Sequence, residues 1–373
     1  MAISAQVQNV HLAALMNGTH EIEDGVFTNI WGYGLWDQTP IATLPAPLLI
    51  FQQGDSVEIQ MTNVSPESHT IHLHGLDVDQ VNDGVPQTSF QVTPGGSTVY
   101  SFKANETGTF LYHCHVITTL HLTMGMYGMI VVERDDNTLF ENGPIYDDTY
   151  YYLASDLEVE TNNFPTMAFP FHEIQPDHFM INGSSGEMLF NGSENVIEME
   201  AGQKIALRLG NIGYSKTEFI FPNSVNATAY LSDGRVIPTP FEIDTLEVYP
   251  GERYSVLIGT TETVSDFISV NYSNMENGIY QATNYIGINS YTFPTSIVNV
   301  DNEGIGVYPN PVDQILYFQA GTVKQIEIYN SKGVKVLERY EPIGMSSLDI
   351  QELARGMYFL RIDGSNSKKI LKF

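Results

Sequence analysis

The sequence predicts an all-β protein built of β-sandwiches in series, and three observations carry that expectation. Apolar residues recur with a period of two, 31 glycines and 18 prolines cut the chain into short segments, and convincing amphipathic helical stretches are few. At 373 residues the chain is long enough for two or three domains, and a 42% hydrophobic content with 11% aromatics supplies ample cores for them.

The elements follow in order. In DSVEIQMTN (55–63), Val57, Ile59 and Met61 alternate with Ser56, Glu58 and Gln60 just after the turn-forming Gly54-Asp55, so one strand face is apolar. The apolar strand MYGMIVV (126–132) runs into the polar, turn-rich ERDDNTLFENGP (133–144), which places a boundary near residue 140. PGGSTVYSF (94–102) and PGERYSVLI (250–258) share a Pro-Gly turn leading into a strand, as two related sandwiches would. Residues 301–373 carry nine acids and nine bases, leaving 35 acids against seven bases before them, so the whole formal charge of −28 lies in the first 300 residues. That break predicts an independent C-terminal unit, joined through Asn299–Gly306 and the turn at 309–311. Within it, QIEIYNSKGVKVLE (325–338) reads as a hairpin around Ser331-Lys332-Gly333, and GMYFLRI (356–362) as a further strand. The expected domains are 1–140, 141–300 and 305–373.

Composition excludes several function classes. The acidic excess argues against nucleic acid or an anionic membrane as partner. No apolar run approaches the ~18–20 residues of a membrane-spanning helix, so no membrane insertion is expected. A single cysteine rules out a disulfide framework and any zinc site built on several thiolates.

Histidine placement is the informative feature. Six of the ten histidines fall in two clusters: His69, His72 and His74 in SHTIHLHG, and His113, His115 and His121 in YHCHVITTLHLTMGM. Residues i and i+2 of a strand share a face, so His72/His74 and His113/His115 each project two imidazoles one way, and Cys114 points to the other side. The spacing predicts two metal sites flanking one strand and joined by a covalent path. For the thiol side, His69 and His121 are available, and Met126 follows His121 by five residues. Two histidines, a thiolate and a weak methionine form the blue-copper donor set, and soft sulfur ligands select copper over magnesium or calcium. Met124 and Met129 are expected in the core, and the isolated His11, His20, His172 and His178 are expected to be non-ligands. Asp83 in NDGVPQ reads locally as part of an Asp-Gly turn.

These residues resemble the cupredoxin domains of multicopper oxidases, over most of residues 40–290. LPAPLLIFQQGDSVEIQMTN and IHLHGLDVDQVNDGVP look like the family's first strands and first histidine motif; GTFLYHCHVITTLHLTMGMYGMIVV looks like a fusion of its second and last motifs. SDLEVE, PDHFMINGSS, IALRLGNIG and PGERYSVLI resemble its copper-free second domain. The resemblance implies two cupredoxin-like Greek-key sandwiches followed by a small C-terminal sandwich. It implies type 1 copper on His69, Cys114, His121 and Met126, and places His72, His74, His113 and His115 in a type 2/type 3 cluster, with Asp83 as the acid that assists proton delivery. It also implies a small-molecule electron donor and oxygen as reactants. Two departures stand out. Five residues (Val116 to Leu120) separate His115 from His121 where the family has three, and four cluster-type histidines are present where a trinuclear cluster needs eight. The count leads to the expectation of a homo-oligomer in which another copy completes the cluster.

Copper nitrite reductases are the nearest alternative: four residues separate His69 from His74, as between their two copper sites, but His72 stands where their catalytic aspartate does. A non-enzymatic electron carrier with type 1 copper alone is the third reading. The tail segments VYPNPVDQILYF, VKQIEIYNSKGVKVLE, LDIQELARGMYFLRI and KKILKF resemble the type 9 secretion sorting domain of gram-negative bacteria. That resemblance implies the type 9 secretion machinery as partner and a secreted or cell-surface location.

Overall fold

The computed structural model describes residues 6–36, 39–165, 174–186, 189, 195–291 and, in the tail, 307–308, 312, 314–318, 323–330, 334–345, 347–353, 356–363 and 368–372. The chain forms two compact units, 1–295 and 296–373, and the described residues are overwhelmingly strand.

The first sandwich contains β1 (Val7–Glu23), β2 (Val26–Leu35), β3 (Leu49–Gln52), β4 (Ser56–Asn63), β5 (His72–His74), β6 (Ser97–Lys103), β7 (Gly108–His113), the short helix α1 (Thr118–Thr123) and β8 (Tyr127–Glu133). Its two sheets run β2-β1-β4-β6 and β3-β8-β7-β5. The expected alternation holds in β4, where Val57, Ile59 and Met61 are buried and the residues between them exposed. Leu12, Tyr33, Ile59, Tyr100, Phe110, Tyr112 and Ile130 fill the space between the sheets. Burying such side chains contributes roughly 1.5–3 kcal/mol each.

The second sandwich contains β9 (Asp148–Leu157), α2 (Val159–Asn163), β10 (His178–Ile181), β11 (Val196–Glu200), β12 (Lys204–Asn211), β13 (Lys216–Ile220), β14 (Asn226–Ser232), β15 (Arg235–Glu242), β16 (Thr245–Val248), β17 (Arg253–Gly259), β18 (Val264–Ser273) and β19 (Tyr280–Tyr291). Its sheets run β10-β9-β12-β17-β14-β15 and β11-β19-β18-β13-β16 around Ile205, Leu209, Phe219, Val270 and Ile288. In both sandwiches, strands distant in sequence lie side by side, as in the parallel pairs β3–β8 and β9–β12, which require long crossing connections.

Strand β7 is buried on both faces. Phe110 and Tyr112 point into the first core, while Leu111 joins Met129, Val131, Leu153, Leu157 and Met180 in a cluster between the two sandwiches. A strand covered on both sides reads as the unbroken apolar run GTFLY. Its far end places His113, and Cys114 just past it, in the buried interior.

The tail unit has sheets β20 (Val307–Tyr308)-β21 (Ile315–Phe318)-β24 (Ser347–Asp349) and β23 (Lys335–Met345)-β22 (Val323–Asn330)-β25 (Gly356–Ile362)-β26 (Lys368–Lys372). They enclose Leu316, Ile326, Ile328, Leu348, Leu360 and Ile370. Strands β22 and β23 form the expected hairpin. Its turn at 331–333, the expected linker 299–306 and the turn at 309–311 lie outside the described residues. Among the described residues, no helix is long and apolar enough to cross a membrane.

Candidate metal centre

Two groups of potential ligands meet at the end of β7, one containing Cys114 and the other the preceding His113. In the first, His69, Cys114 and His121 are all wholly buried, and their ligand atoms converge. Cys114 Sγ is 3.0 Å from His121 Nδ1 and 3.7 Å from His69 Nδ1. Three elements bring them together. His69 bridges to Val92 through two backbone hydrogen bonds, Cys114 follows β7, and His121 sits on α1. Met126 is buried in the same cluster, and its backbone carbonyl and amide bond to Cys114 and His121.

The orientation of His69 is set by a relay. Ser65 donates its hydroxyl to Asn63 Oδ1 at 2.8 Å, so the 2.6 Å contact between Ser65 Oγ and His69 Nε2 has the imidazole as donor. The Nδ1 lone pair is thereby left facing the thiol. Asn63 is itself pinned by Val92 and Glu67 carbonyls. His121 Nε2 is buried without a hydrogen bond, 3.7 Å from the Glu67 carboxylate, and the Trp31 ring meets the imidazole edge-on.

Burial decides the protonation states. It holds His69 down at about 3, helped by repulsion from His121, and holds His121 at about 4, so both rings are neutral bases at neutral pH. It also pushes the Cys114 thiol up, against hydrogen bonds from Thr70, Val116 and Tyr33 that favour the thiolate. A buried thiol with two neutral imidazoles aimed at it is a soft donor set that a thiophilic cation would complete. Tetrahedral ligands of one ion stand ~3.3–3.5 Å apart for bonds of ~2.0–2.3 Å, which the spacings here approach.

The second group is His72, His74 and His113. It is built by antiparallel pairing of β5 and β7, with His72 opposite His113 and His74 opposite Leu111. His74 Nδ1 lies 3.3 Å from His113 Nε2. His72 Nδ1 bonds to the Asp83 carbonyl at 2.7 Å, and His113 Nδ1 to the Cys114 carbonyl at 3.1 Å, which leaves Nε2 of both rings free as an acceptor. Burial lowers His113 to about 3 and His74 to about 4, with the nearby Arg253 guanidinium adding to the latter. His115 adjoins this group, its ring centroid 5.3 Å from that of His72 and stacked 6.0 Å from that of His113, but its ligand atoms stand outside the tight set. Its Nδ1 is buried and without a hydrogen bond, so that nitrogen is available as a ligand atom. Asp83 reaches the site twice, since its carboxylate Oδ1 is also 3.2 Å from His72 Nδ1.

The remaining histidines are occupied elsewhere. His11 bonds Thr62 and stacks on Trp36, His20 bonds the Gly183 carbonyl, and His178 pairs with Asp177. His172 lies outside the described residues.

The donor chemistry and the fold point the same way as comparison with known proteins. Residues 41–137 and 141–292 each match a multicopper oxidase domain. The chain belongs to the multicopper oxidase family. The metal of that family is copper, and the two histidine groups with their single thiol fit it. Residues 306–373 match a secretion system C-terminal sorting domain. Among curated relatives, copper resistance protein A of Pseudomonas syringae pv. tomato is 26% identical over 261 residues, 58% of this chain and 42% of that protein. The copper-containing nitrite reductase of Neisseria meningitidis serogroup B is 25% identical over 226 residues, 59% of this chain and 54% of that protein. The chain thus spans about half the length of the curated relatives it matches. Among solved structures, the blue copper oxidase of Nitrosomonas europaea superposes with a TM-score of 0.62 at 25% identity, over 76% of this chain and 86% of that one.

Several residues that shape the site carry no ligand chemistry of their own. Ser65 and Asn63 orient His69, Thr70 Oγ1 accepts the His115 amide at 3.0 Å, and Gly75 leaves room for Arg253 of the second sandwich. A Cβ on Gly75 would come within 2.1 Å of the Arg253 guanidinium. Thr70 and Gly75 lie inside SHTIHLHG without a ligand role there, and nothing local marks Asn63, Ser65 or Arg253.

Proposed function

We propose that the chain is an exported multicopper oxidase that couples one-electron oxidation of a small-molecule donor to reduction of oxygen. The observation that carries this reading is that one cysteine joins the two ligand groups, its thiol in the first and the preceding His113 in the second. In this reading His69, Cys114, His121 and Met126 hold type 1 copper, and His72, His74, His113 and His115 hold copper of the type 2/type 3 kind. Bound copper would supply one-electron transfer at the first group and oxygen chemistry at the second. The protein's own residues do the rest. Ser65 presents His69 Nδ1, the Asp83 and Cys114 carbonyls leave Nε2 of His72 and His113 free, and complete burial keeps water from the thiol. The partly exposed Asp83 carboxylate is positioned to hold a proton between solvent and His72.

Four cluster histidines are half of the family's eight, and we assign the other half to a second copy of the chain across a two-fold axis. Sedimentation of copper-loaded and copper-free protein tests this: a copper-loaded monomer that reduces oxygen would end it. The acidic surface favours cationic or neutral donors over anions. We assign the tail to recognition by the type 9 secretion machinery, with release or surface attachment as the outcome; fractionation of cells expressing the chain with and without 306–373 checks this.

The second reading, a nitrite-reductase-like enzyme, is favoured by the similarity to the Neisseria meningitidis nitrite reductase and by the convergence of three imidazoles in one group. The third is an electron carrier with copper at the first group alone. Copper stoichiometry with electron paramagnetic resonance, followed by oxygen uptake against nitrite consumption, separates them. One copper per chain with only a type 1 signal would exclude both enzyme readings.

A further inference from the structure

Helix α1 carries His121 but has little means of holding it. Six residues are far below the ~12–15 at which an isolated helix is marginally stable. No side chain caps its start, and its N-cap, Ile117, sits at φ 43°, ψ 55°, the left-handed region that a β-branched residue adopts only under constraint. The helix therefore needs an external hold.

That hold comes from the second sandwich. Thr123 Oγ1 donates to the Thr119 carbonyl at 2.8 Å, and the Tyr214 hydroxyl donates between Thr123 Oγ1 at 2.7 Å and the same carbonyl at 3.2 Å. Thr119 and Thr123 bracket His121, so the triangle clamps the turn that bears the imidazole. Tyr214 is itself anchored. Its amide and that of Ser215 donate to the two carboxylate oxygens of buried Asp156 at 2.7 and 2.8 Å. Gly213 must be a glycine there, since a Cβ would lie 2.8 Å from the Asp156 carboxyl carbon.

We propose that Tyr214, on a sandwich that contributes no described ligand, is a positioning residue that fixes His121 Nδ1 against the Cys114 thiol. The inference rests on reading the first group as the type 1 copper site. Partners that orient a ligand typically change metal affinity about 10–100-fold when lost.

The test is Tyr214→Phe in the full copper-loaded chain, which removes the hydroxyl and keeps the ring. It is expected to lose type 1 copper to a chelator about tenfold faster, to shift the blue band and the type 1 paramagnetic signal, and to leave the type 2 signal unchanged. Thr123→Val should reproduce the effect from the other side, and the double variant should add little to either single one. In copper-free protein, hydrogen exchange at the α1 amides should rise in both variants. Unchanged spectrum, copper retention and exchange in Tyr214→Phe and Thr123→Val would overturn the proposal. A parent protein with no blue band dependent on Cys114 would instead overturn the copper assignment, and this proposal with it.

Discussion

In the first sandwich, six histidines and the cysteine sit at the ends of β5 and β7 and in the loops around them; in the second, the strand ends facing them carry Gly251, Arg253 and Asp233. The cores do not differ in kind: both are packed with leucine, isoleucine, valine and large aromatics. The comparison teaches that the chemistry of this fold is written on strand ends and loops, where substitution leaves the packed interior intact. It also shows that a sandwich without described ligands still shapes the site. Arg253 lies against Gly75, pairs with Asp233 at 2.8 Å and donates to the Gly251 carbonyl at 2.7 Å, and Tyr214 clamps α1.

The sharpest way to break the contrast is to remove the thiol of the first group, whose residue follows His113 of the second. Cys114→Ser is expected to abolish the blue absorption and all oxidase activity, because serine cannot replace a soft ligand. The serine side chain is nearly the same size, so the packing around it should change little. Retained colour in that variant refutes the assignment.

Gly75→Ala probes the seam between the sandwiches. The new Cβ would meet the Arg253 guanidinium on a backbone at φ +92°, so we expect a loss of about 2 kcal/mol in thermal or chemical unfolding and a disturbed His72/His74/His113 group. A variant as stable as the parent would show that Arg253 yields freely.

A third prediction concerns acid. Burial keeps His69 and His113 at about 3 and His74 and His121 at about 4, below the ordinary 6.5, so between those values the unfolded chain binds more protons than the folded one. Metal-free protein should therefore be most stable above about 6.5 with respect to these groups and lose stability as pH falls toward 4 and then 3. Buried Asp156, with its carboxyl pushed up, opposes this. The difference between parent and His69→Gln in melting temperature from pH 7 to 4 isolates the histidine contribution. Parallel curves would contradict it.

The smallest effect is expected from deleting residues 305–373. The tail forms its own compact unit with its own core, so the truncated protein should keep the blue spectrum and unfolding midpoint of the parent. Loss of the type 1 signal would mean that the tail supports the oxidase unit.

The sequence by itself determined the β character, through alternation such as that of Val57, Ile59 and Met61, and it determined that His72 and His74 share a face. Both are consequences of the two-residue strand period, which is local. It also marked the tail, because a change in charge balance is compositional. Tertiary structure alone decided that His115 stands outside the tight group of His72, His74 and His113, because Cys114 and His115 lie past the end of β7, where strand periodicity no longer dictates direction. It alone decided which nitrogen each imidazole presents, through Ser65, the Asp83 carbonyl and the Cys114 carbonyl. And it alone brought Tyr214 and Arg253 to the two groups, since contacts 91 residues away from Thr123 and 144 away from Thr109 arise only when two separately patterned sandwiches pack face to face.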